Sequence, residues 1–152
     1  MIKVVTTSLL LFALCSSYQP VQAQPAPTPS QAASNEAVRR QAQIIQLRQN
    51  LAEAKKIKAK GDATATAKKY EDAVTLSQGI AANIEVERAE AQAGHAAARL
   101  ELARAAQKQN NLIEADAQVT RLLRGEPKNA EGLAFKAEND LRTANLRGKV
   151  PS

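Results

Sequence analysis

Residues 58 to 76 read KAKGDATATAKKYEDAVTL, and this stretch decides the fold. Gly61 can end one helix in the left-handed conformation, and the side chain of Asp62 can cap the helix that follows. Apolar residues then return at helical spacing, at Tyr70 and Ala73. The stretch therefore predicts two helices that fold back on each other across a tight turn.

The same kind of pattern continues through the rest of the chain. Strong helix formers dominate from about Glu36 onward, and further breaks stand at Gly79, at Asn110, at Gly125 and at the candidate N-cap Asn129. The sequence predicts an all-α fold of antiparallel helix pairs with an elongated central helix. The residues expected to face the core are Ile44, Leu47, Leu51, Ala54 and Ile57; Ala67, Tyr70, Ala73 and Val74; Val86, Ala89, Ala93, Ala96, Leu100, Ala103 and Ala106; Leu112, Ala115, Val119, Leu122 and Leu123; and Leu133, Ala137, Leu141 and Ala144.

Small and aromatic residues recur at the intervals of a tetratricopeptide repeat, a helix pair of about 34 residues. In that interpretation, small residues lie where paired helices cross, and an aromatic residue contacts the next helix. The spacing departs from a regular array, because the closing positions Gln78 and Pro127 stand 49 residues apart. The positions that carry the pattern are Ala54, Gly61, Tyr70 and Ala73 in one copy, and Ala103, Ala115 and Pro127 in the next.

The segments KKYEDAV (68–74), NNLIEAD (110–116) and FKAEND (135–140), with the closing GKVPS, carry a narrower resemblance. From about Val38 onward the chain resembles the helical region that precedes the ring domains of bacterial secretin-type proteins. These proteins belong to type II and type III secretion and type IV pilus systems. The secretin β-domains and barrel are absent from this sequence, so a pore function cannot be carried over from the resemblance. The resemblance implies a fragment, a truncated relative or a free-standing periplasmic accessory.

The first residues, MIKVVTTSLLLFALCSSYQPVQAQ, have the pattern of a secretory signal peptide. A lysine precedes a short apolar run, and cleavage is expected after Ala23. An uncleaved anchor is disfavoured because the run is well below the ~20 residues of a transmembrane helix. Lipidation at Cys15 is disfavoured because Leu14, rather than a small residue, precedes it. The mature chain then lies in the periplasm or cell envelope, has no cysteine and has no transmembrane span.

The mature chain is expected to begin with a solvated tether. Residues 24–35, QPAPTPSQAASN, are rich in Pro, Ala, Ser and Gln, which favour extended backbone. The helical domain is expected over 36–146, and a disordered tail over 147–152.

Composition argues against several classes of function. The net charge is +6, but basic and acidic residues are interspersed, which is typical of solvated helix faces. The mature part has only two aromatic residues, Tyr70 and Phe135. It therefore offers few side chains on which nucleic acid bases could stack. The sequence shows no nucleophile with a base and no phosphate-binding glycine loop, so an enzyme is not expected.

Metal and cofactor sites have only weak candidates. His95 is the single histidine, and its Gly-His-Ala-Ala context favours a packed or surface residue over a ligand. Glu85, Glu87 and Glu90 cluster without a second type of ligand, which favours a solvated face over a metal site. No cofactor is therefore expected, although a metal- or ligand-binding protein around His95 is one alternative.

Basic residues follow the predicted inner faces of the first helices of each pair. Such a groove would favour an acidic peptide segment or a C-terminal carboxylate of a partner protein. The plainer interpretation is that these are solvated charges at helical spacing. The candidate groove residues are Arg48, Lys55, Lys58, Arg104 and Lys108.

The sequence favours an exported, non-enzymatic module that binds a protein partner, such as a subunit of a secretion complex. The main alternative is a self-associating helical spacer of the cell envelope. Two copies would contact each other through Ile44, Leu47, Leu51 and Ala54, which follow a heptad pattern and would form the seam of a coiled coil. The pattern stops at Lys58, where the next apolar residue would be needed.

Overall fold

The computed structural model describes residues 28–81 and 83–148 of the chain. This part of the chain is built from helices and turns, and each helix packs against the next one in sequence. The prediction of an all-α fold of antiparallel helix pairs is confirmed. The helices are α1 (Pro29–Ala59), α2 (Ala63–Gln78), α3 (Glu85–Lys108), α4 (Leu112–Gly125) and α5 (Ala130–Arg147).

The turn between α1 and α2 has the predicted structure. Gly61 has a φ of 80°, and the Asp62 side chain accepts a hydrogen bond of 2.9 Å from the backbone N–H of Ala65. Ala54 and Ala73 are fully buried where the two helices pack. The chain therefore reverses at Gly61 because one residue adopts the left-handed conformation and the next caps the new helix.

The later breaks were also predicted correctly. Asn110 has a φ of 57°, and the Asn111 side chain accepts a hydrogen bond of 3.1 Å from the N–H of Glu114 at the start of α4. The α4 helix ends at Gly125, and Asn129 caps α5. Short polar side chains thus set the boundaries of the last two helices.

The buried apolar residues form two clusters that share α3. The first cluster lies among α1, α2 and the start of α3, and the second among the rest of α3, α4 and α5. Ala91 belongs to the first, and Ala96 to the second. The first cluster is Leu47, Leu51, Ala54, Tyr70, Ala73, Ile80, Ile84 and Ala91; the second is Ala96, Leu100, Ala103, Ala106, Ala115, Val119, Leu122 and Phe135.

Five of the seven positions that carry the tetratricopeptide pattern are buried. Ala54, Tyr70, Ala73, Ala103 and Ala115 are all buried. The other two positions, Gly61 and Pro127, lie in turns. The burial supports paired helices, while the name of the repeat stays a prediction.

The start of the helical domain was predicted too late. The α1 helix begins at Pro29, within the expected tether, because Thr28 and Gln31 form a capping box. The N–H of Thr28 donates to Gln31 Oε1 at 2.9 Å, and Pro29 occupies the first turn, where its missing N–H costs nothing. At the other end α5 continues to Arg147. The expected signal peptide and Cys15 lie outside the described residues.

The first part of the predicted α3 stripe and the whole α5 stripe face solvent. On α3, Val86, Ala89 and Ala93 are exposed, since Ile80 and Ile84 of the preceding loop fill the first cluster there. On α5, the stripe of Leu133, Ala137, Leu141 and Ala144 is exposed.

The α5 helix packs instead through Gly132, Phe135 and Asn139. Gly132 allows close approach, because a Cβ there would lie 3.0 Å from Leu122 Cδ2. Asn139 Nδ2 donates to the carbonyl of Leu112 at 2.9 Å. A close backbone approach and a buried hydrogen bond therefore outweigh the more apolar face.

None of the five described helices combines the length and the apolar character that crossing a membrane would require.

Candidate interaction site

The first helices of successive pairs lie side by side, and ion pairs join them. Arg48 Nε of α1 lies 2.7 Å from Glu87 Oε1 of α3, and Lys55 Nζ lies 2.8 Å from Glu90 Oε1. Arg104 of α3 also pairs with Glu131 of α5. Three of the five predicted groove cations therefore pair with a carboxylate of another helix.

The two ion pairs between α1 and α3 flank a shallow pocket of about 300 Å³. Val86 lies at its rim and is 77% exposed. The pocket combines three apolar residues with the four charged residues of the two ion pairs. The lining residues are Arg48, Leu51, Ala52, Lys55, Val86, Glu87 and Glu90.

Each of the two ion pairs shifts the pKa of one member toward the charged form. The hydrogen bond from Arg48 lowers the pKa of Glu87, and the hydrogen bond to Glu90 raises the pKa of Lys55. The side chains of Arg48 and Lys55 are each 62% exposed, so solvent reaches both cations. Glu87 and Glu90 are less exposed, at 17% and 34%, and Glu90 Oε1 is buried, so loss of Lys55 would leave that oxygen without a partner.

The remaining predicted cations lie near the ends of their helices. Lys58 and Lys108 are exposed, and neither forms an ion pair with any other described residue. Three of the candidate groove residues are thus held in ion pairs. The other two, Lys58 near the C-terminal end of α1 and Lys108 at the C-terminal end of α3, are unpaired within the described structure. Sequence reasoning placed these cations on one face but did not assign Glu87, Glu90 and Glu131 as their partners.

A second polar constellation lies inside the molecule, between the two apolar clusters. Arg99 of α3 donates to Gln118 Oε1 of α4 at 2.8 Å and to Glu71 Oε2 of α2 at 2.5 Å. Its Nε donates to His95 Nε2 at 3.4 Å. Arg99 therefore ties α2 to α4, which do not pack against each other in the described structure.

Sequence reasoning missed Arg99, although a signal was present. Arg99 stands among Ala96, Ala98 and Leu100, all of which are buried, so its position on α3 faces the interior. A charged residue in such a surrounding needs partners from other elements. His95 was interpreted as a packed or surface residue, and it is packed, with 4% of its surface exposed.

The surroundings of His95 favour the neutral imidazole. Burial, followed by the nearby guanidinium of Arg99, lowers the pKa of His95. Across residues 28–81 and 83–148, no three His, Cys, Asp or Glu side chains come together as a metal ion would need. The arrangement of His95 and Arg99 is that of a structural network.

No protein-family model matches the chain, and no curated protein or solved structure is significantly similar to it.

Proposed function

We propose that this chain is an exported, non-enzymatic interaction module of a bacterial secretion or pilus secretin assembly. It binds an extended segment of a partner protein along the face formed by α1 and α3. The observation that supports the proposal is the pocket between these helices, with Val86 at an apolar rim between two exposed ion pairs. Rigid helices hold its charged and apolar groups in place before the partner arrives.

An acidic segment or a C-terminal carboxylate is the partner chemistry that suits this face. An incoming carboxylate meets Lys58, which has no ion-pair partner among the described residues, one turn beyond Lys55. It can also contact Lys55, whose side chain is 62% exposed, while Lys55 stays paired with Glu90. An apolar side chain elsewhere on the same extended segment would cover Val86, which precedes Glu87 at the Arg48 end of the pocket.

The proposed location rests on the sequence of the first 23 residues and on the secretin-type resemblance. The lysine, the short apolar run and the Val-Gln-Ala site have the order of a secretory signal. We therefore place the module in the periplasm or at the cell envelope.

Capture of partners from bacterial envelope extracts tests this function, with Val86→Glu as the informative variant. A charge at Val86 blocks the apolar rim, whereas Ala105→Glu places the same charge at another exposed position of α3. We expect the wild-type chain and Ala105→Glu to recover a secretion component, and Val86→Glu to recover at least about tenfold less, as burial of an unpaired charge is costly.

The proposal fails if the wild-type chain recovers no secretion component, or if both variants recover the same amount as the wild type. Lys58→Glu separates the partner chemistries. Weaker capture supports an acidic partner, and unchanged capture removes the acidic segment from the proposal.

The alternative of a self-associating spacer through the heptad of α1 has less support. Leu47, Leu51 and Ala54, three of the four seam residues, are buried in the chain's own first cluster. They are therefore not available to form the same seam with a second chain.

A further inference from the structure

Exposed apolar residues concentrate at the two ends of the helix array. Two lie on α1, at one end, and four lie on α4 and α5, at the other. Within the described residues, only Val86 of the large exposed apolar side chains lies elsewhere. The six are Val38 and Ile45, and Ile113, Leu133, Leu141 and Leu146. Helical arrays in general need a polar outer face at each end unless another element covers it.

The α5 end lacks a covering helix. The α1 helix is followed by α2 and α3 by α4, each packed on its predecessor, but no described helix follows α5. A groove of about 580 Å³ opens between α4 and α5, beside Ile113, which is 85% exposed. Leu141, 63% exposed, lies on the outer face of α5. The groove is lined by Leu112, Ile113, Asp116, Asp140, Thr143, Ala144 and Arg147.

The opposite end supplies a helix without a partner. Residues 29–42 of α1 are exposed apart from Glu36, which is half-buried and pairs with Arg39 and Arg40. We call residues 29–42 the projecting segment. It has 14 residues, the length of α4, and the covering helix α2 has 16. At 1.5 Å per residue it extends about 21 Å beyond the core.

The projecting segment has one apolar side that can enter a groove. Val38, Ala42 and Ile45 follow at i, i+4 and i+7, so they share a face, and all three are exposed. Val38 is 71% exposed. The residues that pack into the first cluster, Leu47 and Leu51, lie on the opposite side of α1.

The two ends differ in charge. The α1 helix has six basic and two acidic residues, a net charge of +4 out of the chain's +6, whereas α4 and α5 are each neutral. In the groove, Lys136 Nζ contacts Oδ1 of Asp116 at 2.6 Å and Oδ1 of Asp140 at 3.4 Å. The side chains of Asp116 and Asp140 are 41% and 58% exposed, so Arg39 and Arg40 of a second copy can reach them. Arg147 lines the same groove.

We propose that the projecting segment of one copy docks into the α4–α5 groove of a second copy and supplies the helix that α5 lacks. The interface is heterologous, because different surfaces of the two copies meet, and it can therefore repeat into an open chain of molecules. It uses none of the residues that line the α1–α3 pocket, so it stands independently of the proposed partner binding.

Complementation between two variants of the purified protein tests this pairing. Val38→Glu/Ile45→Glu disables the projecting segment, and Ile113→Glu/Leu141→Glu disables the groove. All four residues are exposed, so both variants are expected to fold, which circular dichroism and melting temperatures verify. Molar mass is then measured by light scattering during size-exclusion chromatography over a range of concentrations.

We expect the wild-type mass to rise with concentration and each variant alone to associate at least about tenfold more weakly. An equimolar mixture of the two variants should form a heterodimer and nothing larger, because each retains the surface that the other lost. Val86→Glu, which changes neither end, should associate like the wild type.

Three results would overturn the proposal. They are a wild-type protein that stays monomeric at every concentration, a mixture that forms no heterodimer, and a Val38→Glu/Ile45→Glu variant that associates as strongly as the wild type. The last result would instead indicate a symmetric contact between two α5 faces.

Discussion

Single residues decide how closely α2 approaches α3. Tyr70 is buried and its ring lies against Gly94, where a Cβ would overlap the ring carbons Cδ1 and Cζ. The aromatic residue that the sequence assigned to the contact with the next helix is therefore in the expected place. Its counterpart, Gly94, was not predicted, because a glycine inside a helix leaves no periodic signal.

We expect Gly94→Ala to destabilise the protein by about 1–3 kcal/mol, the usual cost of overpacking a core. Gly125→Ala is the matched control. A Cβ at Gly125 meets nothing within 4 Å, so this change should leave stability equal or slightly higher. Urea unfolding measures both. If Gly94→Ala is as stable as the wild type, the ring does not rest on Gly94.

Polar residues also decide packing at this scale. Arg99, Gln118 and Asn139 are buried, each with a hydrogen-bonding partner on another helix. Hydropathy assigns such residues to the surface. Only the positions of their partners, far away in the sequence, reveal that they belong inside.

At the scale of elements, caps and turns account for the helix boundaries. Asp62, Asn111 and Asn129 each accept a hydrogen bond from the first turn of the helix that they precede. These signals are local, so they can be read from the sequence. Choosing which face of a helix is buried is not local, and the apolar stripe of α5 ended at the surface for that reason.

The α1–α2 turn is the element on which the fold depends, and Gly61 can be tested there. Its φ of 80° strains any residue with a Cβ, so Gly61→Ala should destabilise the protein by about 1 kcal/mol. Gly79→Ala serves as the control, since Gly79 has a φ of −81° and an added Cβ would make an ordinary contact of 3.6 Å. Thermal unfolding that shows equal losses for the two variants would contradict a strained turn.

At the scale of the whole molecule, α3 and the Arg99 network hold two apolar clusters together. The first cluster includes residues of α1 and α2, and the second includes residues of α4 and α5. Arg99 reaches Glu71 on one side and Gln118 on the other. The pairing of the two halves therefore depends on buried polar groups whose charges must stay balanced.

This dependence predicts a loss of stability in mild acid. The pKa of His95 is lowered in the folded protein, by burial first and by Arg99 second, whereas the unfolded chain has the ordinary value of about 6.5. At a pH between these two pKa values, the unfolded state therefore binds more protons than the folded state does. Stability is fully present above the unfolded pKa and falls as the pH drops from about 6.5 toward the lowered pKa.

Unfolding free energies at about pH 8 and about pH 5 measure this effect. The charged groups that face His95 are Arg99, Glu71 and Glu126, and the two carboxylates oppose the shift. His95→Gln keeps a hydrogen-bond acceptor without a titrating group, so its stability should depend less on pH than that of the wild type. The same pH dependence in both proteins would exclude His95 as the cause.

The sequence by itself determined the helical class, the reversal at Gly61, the capping residues and the burial of α2 and α4. These features depend on backbone preferences and on the spacing of apolar residues within one helix, which neighbouring residues specify. The tertiary structure decided the exposed face of α5, the ion pairs of Arg48 and Lys55, and the burial of Arg99. Each of these depends on which distant side chain arrives at a given surface, and a periodic pattern along one helix carries no information about that.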